Sequence, residues 1–200
     1  MLTSSRVLVF SDFNCPFCFT LNEWIEALDL GTRVRWVGVE HRPNLPTQGS
    51  NRSEDRELML SEVSEVRRRA PEVPVAPPPL WANSRLALTL QNAIEDDHPE
   101  RAPALRSALF RSYWSEGEDL ASRALLDQLL GANNLPALDA HFLDEPTVDE
   151  HTTWWRQELD RIPVMIAPTG ARHLGLQDKA TVEAFLHSAV FEPEPGAGCR

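Results

Sequence analysis

The sequence has few cysteines, no long apolar run and a deficit of positive charge. Only three of its 200 residues are cysteines, too few for a disulfide framework in a chain of this length. No stretch approaches the length that spans a membrane, and the opening MLTSSRVLVFSDF lacks the apolar core and small-residue cleavage site of a secretory signal. We therefore expect a cytoplasmic protein.

The charge balance argues against two classes of partner. Acidic side chains outnumber basic ones by 30 to 19, which gives a formal net charge of −11. Nucleic acids and anionic membranes are bound through Lys and Arg, so we expect neither as a partner. With 42% apolar residues, the chain is long enough for one sizeable core, or for a small domain that carries an insertion.

Two of the cysteines, Cys15 and Cys18, lie in the stretch SDFNCPFCF. Residues 6–10, RVLVF, have the apolar, β-branched composition of a buried strand. From Phe17 onward apolar residues recur at helical spacing, and Pro16 suits the first position of a helix. The sequence therefore predicts that the cysteine pair opens a helix directly after a strand.

The rest of the chain predicts a second strand, a long helical block and a short β-β-α ending. Residues 33–39 suit the second strand, which implies a parallel pair with a helical crossover. Apolar periodicity predicts the helices of the block at 53–70, 83–96, 101–114, 122–132 and 148–160. Two strands at 162–167 and 171–176 and a helix at 179–190 follow.

This order predicts an α/β, thioredoxin-like fold, βαβ…ββα, with a long all-helical insertion. We expect the thioredoxin-like domain to comprise residues 1–50 and 161–190, the helical insertion residues 51–160, and a flexible tail residues 191–200.

A cysteine pair at a helix N-terminus suits disulfide chemistry, because the unpaired N–H groups there stabilise a thiolate. We expect Cys15 to be the nucleophile, with a pKa below that of an ordinary thiol. Cys18, one turn deeper, is then the thiol that resolves the mixed disulfide. Two alternatives stay open: a zinc half-site completed by Cys199 and histidines, and a pair of small buried apolar residues.

The Ile162–Pro163 pair lies just before a predicted core strand, where proline costs a ladder hydrogen bond. One interpretation is a helix terminator after Asp160. The other is a cis peptide bond that brings the Ile162 backbone up to the cysteines, with its N–H and C=O free to pair with an extended substrate segment.

Three further side chains are candidates near the site. Asp12 could relay a proton to or from Cys18, or could simply solvate the loop as an N-terminal acid. Trp155 lies on the apolar stripe of its predicted helix, which favours core packing. Trp154 faces elsewhere, and a place in a substrate groove stays open for it.

The chain resembles the DsbA-like family of the thioredoxin superfamily, and more closely its cytoplasmic branch with a helical insertion. The resemblance extends to about Val190 and is carried by SDFNCPFC, ANSRLALTLQNA, LFRSYWSEGEDLASRALLDQLL and RIPVMIAPTGARHLGLQDKATVEAFL. It implies a thiol–disulfide oxidoreductase with Cys15 and Cys18 as the redox pair and Pro163 as the cis proline beside them. Tail residue Cys199 has no counterpart in this match.

The resemblance also implies substrates and excludes cofactors. Protein or small-molecule disulfides and thiols are the expected substrates, glutathione is a candidate partner, and no metal or organic cofactor is required. Pro16, Phe17, Ile162 and Pro163 are the expected substrate-binding residues around the pair. Two alternatives are a glutathione-dependent isomerase or transferase of the same fold, in which serine typically replaces the first cysteine, and a non-enzymatic peptide-binding or chaperone-like protein.

Overall fold

The computed structural model describes residues 5–137 and 147–189. In these residues the chain forms four strands and seven α-helices. In chain order they are β1 (Val7–Ser11), α1 (Pro16–Ala27), β2 (Val34–Gly38), α2 (Ser53–Arg69), α3 (Arg85–Asp97), α4 (Ala102–Trp114), α5 (Arg123–Ala132), α6 (Thr147–Glu158), β3 (Val164–Ile166), β4 (Arg172–Leu174) and α7 (Lys179–Ser188).

The four strands form one mixed sheet in the order β2-β1-β3-β4. β1 pairs in parallel with β2, and the connection between them contains α1, as a parallel pair requires. β3 runs antiparallel to β1 and to β4. The predicted α/β fold with the order βαβ…ββα is therefore confirmed.

β1 is buried on both faces and separates two apolar clusters. Val7 and Val9 point into the larger cluster, which also contains the apolar faces of most helices. Leu8 and Phe10 point the other way, into a smaller cluster that contains Trp155 of α6. Trp155 is only 4% exposed, as its place on the apolar stripe predicts.

Between β2 and β3 the described residues form the five helices α2 to α6, joined by loops, and one isolated bridge links Ser50 and Trp81. α3 and α6 pack against β2, whereas α2 and α4 pack against α1.

The division of the chain at residues 50, 160 and 190 stays a prediction. The predicted tail, including Cys199, lies outside the described residues. None of the described helices combines the length and the apolar character needed to cross a membrane.

Candidate active site

The turn after β1 places the cysteine pair at the start of α1. The Cys15 N–H donates to the Asp12 carbonyl at 3.2 Å, and the helix then begins at Pro16 with Cys15 as its N-cap. The Cys15 carbonyl accepts from the N–H groups of Cys18 and Phe19, both at 3.1 Å. Proline suits this first helical position because its missing N–H would have had no partner within the helix. Cys18 consequently lies one turn inside the helix.

Both cysteines are free thiols and both are buried. Cys15 is 3% exposed and Cys18 is 0% exposed, so Cys15 lies on the side nearer to solvent. The Cys18 side chain lies within hydrogen-bonding reach of the Cys15 thiol. The two sulfurs are therefore close enough to interact, which intramolecular resolution of a mixed disulfide requires.

The expected low pKa of Cys15 is wrong for this structure. Burial raises the pKa of the Cys15 thiol well above its ordinary value, and both Cys18 and the negative charge of Glu62 act in the same direction. The helix N-terminus opposes these effects, but removal of water disfavours the thiolate more strongly. Sequence reasoning considered the helix end alone, because it could not see which side chains cover that end.

Asp12 is fully buried at the centre of a hydrogen-bond network. Its carboxylate accepts from the Asn14 N–H at 3.3 Å, from the Ser84 hydroxyl, and from the His41 N–H at 3.0 Å. The His41 ring Nδ1 lies 3.3 Å from the same carboxylate. Cys18 is not among these partners. The network fits a role in holding the loop, and the proton relay stays a prediction.

Two indole rings from the helical block hold the loop that leads to Cys15. The Trp81 Nε1–H donates to the Asn14 carbonyl at 3.0 Å, and the Trp114 Nε1–H donates to the Phe13 carbonyl at 2.8 Å. The Asn14 side chain in turn donates to the Ala82 carbonyl at 3.2 Å. These partners are 67 to 101 residues apart in sequence, and no sequence signal identifies the contacts.

The sheet register places the Ile162–Pro163 pair at the end of β1 from which the chain leads to the cysteines. Val164 pairs with Phe10, so the two preceding residues lie beside the last residue of β1 and the start of the active-site loop. The Ile162–Pro163 peptide bond is cis. Ile162 is partly buried and packs against both apolar clusters. Its N–H and C=O make no hydrogen bond within the described residues.

Pro16 and Phe17 lie between the two cysteines in the first turn of α1. Pro16 is buried, whereas Phe17 is partly exposed and packs against the larger apolar cluster. Trp154 is also partly exposed, at 37%, and stacks on Phe10 with a centroid distance of 5.0 Å. The substrate-binding roles of Pro16, Phe17 and Ile162 stay predictions.

A group of charged side chains near Cys15 was missed in the sequence analysis. Glu62 of α2 is half-buried, and its charge acts on Cys15 and on His41 and Arg42, which follow β2. Burial raises the pKa of the Glu62 carboxyl, although His41 and Arg42 act against that rise. The position of Glu62 on the apolar face of α2 was the available signal, since an acid at such a position is unusual.

No group of three or more His, Cys, Asp or Glu side chains in the described residues is arranged to hold a metal ion. The groups that lie near the start of α1 are the two thiols, the carboxylates of Asp12 and Glu62, and the Ile162 backbone.

The cysteine pair lies at the N-terminus of the helix that follows the first strand, and β3 and β4 complete the sheet. This arrangement defines a thioredoxin-fold protein. The model of the DSBA-like thioredoxin domain matches residues 6–164. The chain belongs to this family. No curated protein matches it in sequence.

Solved structures resemble the whole chain at low sequence identity. 2-Hydroxychromene-2-carboxylate isomerase is 20% identical with a TM-score of 0.72, covering 92% of this chain and 95% of its own. The cytosolic disulfide reductase DsbM from Pseudomonas aeruginosa, solved with GSH, is 17% identical with a TM-score of 0.62, covering 92% and 98% respectively. At these identities the likeness shows the fold.

Proposed function

We propose that this protein is a thiol–disulfide oxidoreductase that acts as a disulfide reductase, with Cys15 as the nucleophile and Cys18 as the resolving thiol. The observation that carries the proposal is the pair of free cysteines one turn apart at the N-terminus of α1. The DSBA-like domain in which the pair lies supports the same chemistry.

The reaction transfers two electrons from the dithiol to the substrate. Cys15 loses its proton, and its thiolate attacks one sulfur of the substrate disulfide to form a mixed disulfide. The displaced substrate thiolate takes up a proton. Cys18 then attacks the Cys15 sulfur, which releases the second substrate thiol and leaves a Cys15–Cys18 disulfide. An external thiol or dithiol, with glutathione as a candidate, restores the reduced pair without a metal or organic cofactor.

The surroundings of Cys15 favour the reductase direction. The disulfide form of a cysteine pair is a strong oxidant when the protein stabilises the thiolate of the reduced form. Here burial, Cys18 and the Glu62 charge all raise the pKa of Cys15, so the reduced state gains no such stabilisation. The reduced pair therefore gives up its electrons more readily than a pair with a stabilised thiolate.

The proposed substrate surface lies around Pro16, Phe17 and Ile162. The unpaired N–H and C=O of Ile162 can pair with an extended segment that contains a disulfide, as an added strand does. Phe17, which is partly exposed, offers an apolar contact beside the thiols. Protein disulfides and small disulfides can both approach in this way.

Insulin reduction with dithiothreitol as the electron donor tests the proposal. We expect the protein to accelerate the reaction, Cys15→Ser to abolish the acceleration, and Cys199→Ser to retain it. Calorimetric titration with glutathione, run in parallel, separates a glutathione-dependent enzyme from a reductase that uses other donors. A wild-type protein that does not accelerate reduction of insulin or of any small disulfide would overturn the proposal.

A further inference from the structure

Glu62 lies at the edge of the face of α2 that packs toward α1. Met59 precedes it by three residues and Val66 follows it by four, and residues at these spacings share one helix face. Met59 and Val66 are buried in the apolar cluster that contains both cysteines, whereas Ser61 and Ser64 are exposed. Leu58 and Glu65, which are its neighbours on the other side, are exposed and partly exposed, so Glu62 lies between buried and solvent-facing residues, and its charge acts on Cys15.

The Glu62 carboxylate lacks a partner of its own. Its Oε2 atom is buried and makes no hydrogen bond within the described part of the chain. His41 and Arg42 lower the pKa of Glu62 but donate no hydrogen bond to Oε2, and the Arg42 Nε is itself buried without a partner in the described residues. The His41 ring lies against Asp12, and the Arg42 guanidinium lies 3.6 Å from the centroid of the Trp81 ring.

An acid in this position has two costs in the free enzyme. A buried acceptor without a donor is unfavourable, and a negative charge beside Cys15 disfavours its thiolate. A cationic group bound next to Glu62 removes both, because its N–H groups satisfy Oε2 and its charge offsets that of the carboxylate. Cys15 would then be activated by the substrate itself.

We propose that Glu62 selects substrates that carry an amine or guanidine close to their disulfide. This proposal rests on the proposed reductase function and names its substrate class. In proteins, such substrates are disulfides flanked by Lys or Arg, and the net charge of −11 adds a general attraction for them.

The proposed order of events is binding, activation and exchange. The substrate ammonium donates a hydrogen bond to Glu62, and the Cys15 thiol releases its proton to water. The Cys15 thiolate then attacks the nearer substrate sulfur, and the displaced thiolate is protonated. Attack by Cys18 completes the transfer of two electrons, and added dithiothreitol reduces the resulting disulfide.

Three small disulfides of graded charge test this inference: dicationic cystamine, neutral bis(hydroxyethyl) disulfide and dianionic dithiodiglycolate. The measured quantity is kcat/KM after subtraction of the uncatalysed reaction with dithiothreitol. We expect wild type to prefer cystamine to the neutral disulfide, and Glu62→Gln to reduce that preference about tenfold. Glu62→Asp keeps the charge and should keep part of the preference. Glu57→Gln, an exposed position on the same helix, should retain the wild-type ratio.

The outcomes separate the two proposals. Two outcomes would overturn the role of Glu62 and leave the reductase function standing. One is turnover of the neutral disulfide without a preference for cystamine, and the other is a preference for cystamine that is unchanged in Glu62→Gln. No turnover of any of the three disulfides would overturn this inference, and a failure to reduce insulin as well would overturn the reductase function.

A second measurement does not depend on turnover. In a Cys199→Ser background, the rate of Cys15 alkylation by neutral iodoacetamide is followed against pH by mass spectrometry. Glu62→Gln should lower the midpoint pH of this profile, because the repelling charge is gone. Circular dichroism checks that the variant is folded. A folded variant with an unchanged midpoint would contradict the proposal.

Discussion

Cys15 and Cys18 have different positions relative to α1, although both are buried. Cys15 caps the helix and its carbonyl accepts two helical N–H groups, whereas Cys18 lies one turn inside. In the proposed mechanism the thiol at the first position attacks the substrate disulfide, and the thiol at the second position attacks Cys15. This difference supports an unequal division of the chemistry between the two thiols.

Substitution of each cysteine by serine should therefore have unequal effects. Cys18→Ser retains the attack step and lacks the release step, so mixed disulfides through Cys15 should accumulate as high-mass bands on non-reducing gels. Cys15→Ser should abolish activity without trapping anything. The bands should collapse with reductant and persist when Cys199 is also replaced. Equal behaviour of the two variants, or bands that require Cys199, would contradict the assignment.

The raised pKa of Cys15 predicts an alkaline alkylation profile. Only the thiolate reacts with an alkylating agent. Because burial, Cys18 and Glu62 raise the pKa of the Cys15 thiol, its reactivity should be low at neutral pH and should increase only at pH values above the ordinary thiol pKa. Iodoacetamide labelling of Cys15, quantified by mass spectrometry, measures the midpoint. The same chain unfolded in urea is the reference, and a folded midpoint below that reference would show that the helix end outweighs burial.

Asp12 is expected to stabilise the loop more than it affects the chemistry. Asp12→Asn replaces one acceptor oxygen by a donor within a network of donors, which should lower the free energy of unfolding by about 2–3 kcal/mol. Urea denaturation measures the loss. Asp96→Asn, which removes a surface pair with Arg35, is the control and should cost under about 1 kcal/mol. Trapped mixed disulfides in Asp12→Asn would instead indicate a relay to Cys18.

Sequence reasoning placed the cysteine pair at the start of a helix but did not identify its surroundings. The position of Cys15 at a helix start follows from local spacing, which is why it was predictable. Its pKa depends on which side chains cover that helix end, and Glu62 and the partners of Asp12 arrive from other segments. The orientation of one helix against another is set by packing of the whole core, which a single sequence does not reveal.

At the scale of elements, the helical block supports the loop before α1 rather than standing apart from it. Trp81, Ser84 and Trp114 each donate to residues of that loop. The bounds of the helices were predictable within a few residues, because apolar periodicity is a local property. The contacts between loop and block were not, because they join distant segments.

Loss of one indole hydrogen bond should loosen this support. Trp81→Phe keeps the ring but leaves the buried Asn14 carbonyl without its donor, which should cost about 1–3 kcal/mol and reduce reductase activity. Trp24→Phe is the matched control, because it removes an indole bond to Glu72 away from the loop. It should lower stability while leaving activity near the wild-type level. Equal activity losses in the two variants would contradict a specific role for Trp81.

At the scale of the whole molecule, a buried ion cluster joins the helix that carries the cysteines to the helical block. Arg106 of α4 is 0% exposed, and its guanidinium donates to Asn22, Glu26 and Glu95 at 2.8, 3.1 and 3.3 Å. Burial raises the pKa of Glu95, and Arg106 is the strongest influence against that rise. α1, α3 and α4 are thereby held together by charge as well as by apolar contact.

Removal of Arg106 should destabilise the protein in a pH-dependent way. Arg106→Leu leaves buried carboxylates without their partner, which should cost about 3–5 kcal/mol near neutral pH. The pKa of Glu95 in the folded state then rises further, so the folded protein binds this proton more tightly than the unfolded chain does. The free energy of unfolding therefore falls as pH increases from the unfolded-state pKa through the folded-state pKa. Urea unfolding should show a larger deficit at about pH 8 than at about pH 5. A deficit independent of pH would contradict this account.

The support of the cysteine loop by Trp81, Ser84 and Trp114 also has a consequence for biosynthesis. A chain leaves the ribosome from its N-terminus, so Cys15 and Cys18 emerge well before Trp114, and β3 emerges later still. Until then the two thiols are those of an exposed peptide, without the burial that raises the pKa of Cys15. The thiols of nascent chains are therefore more open to unwanted oxidation than those of the folded protein.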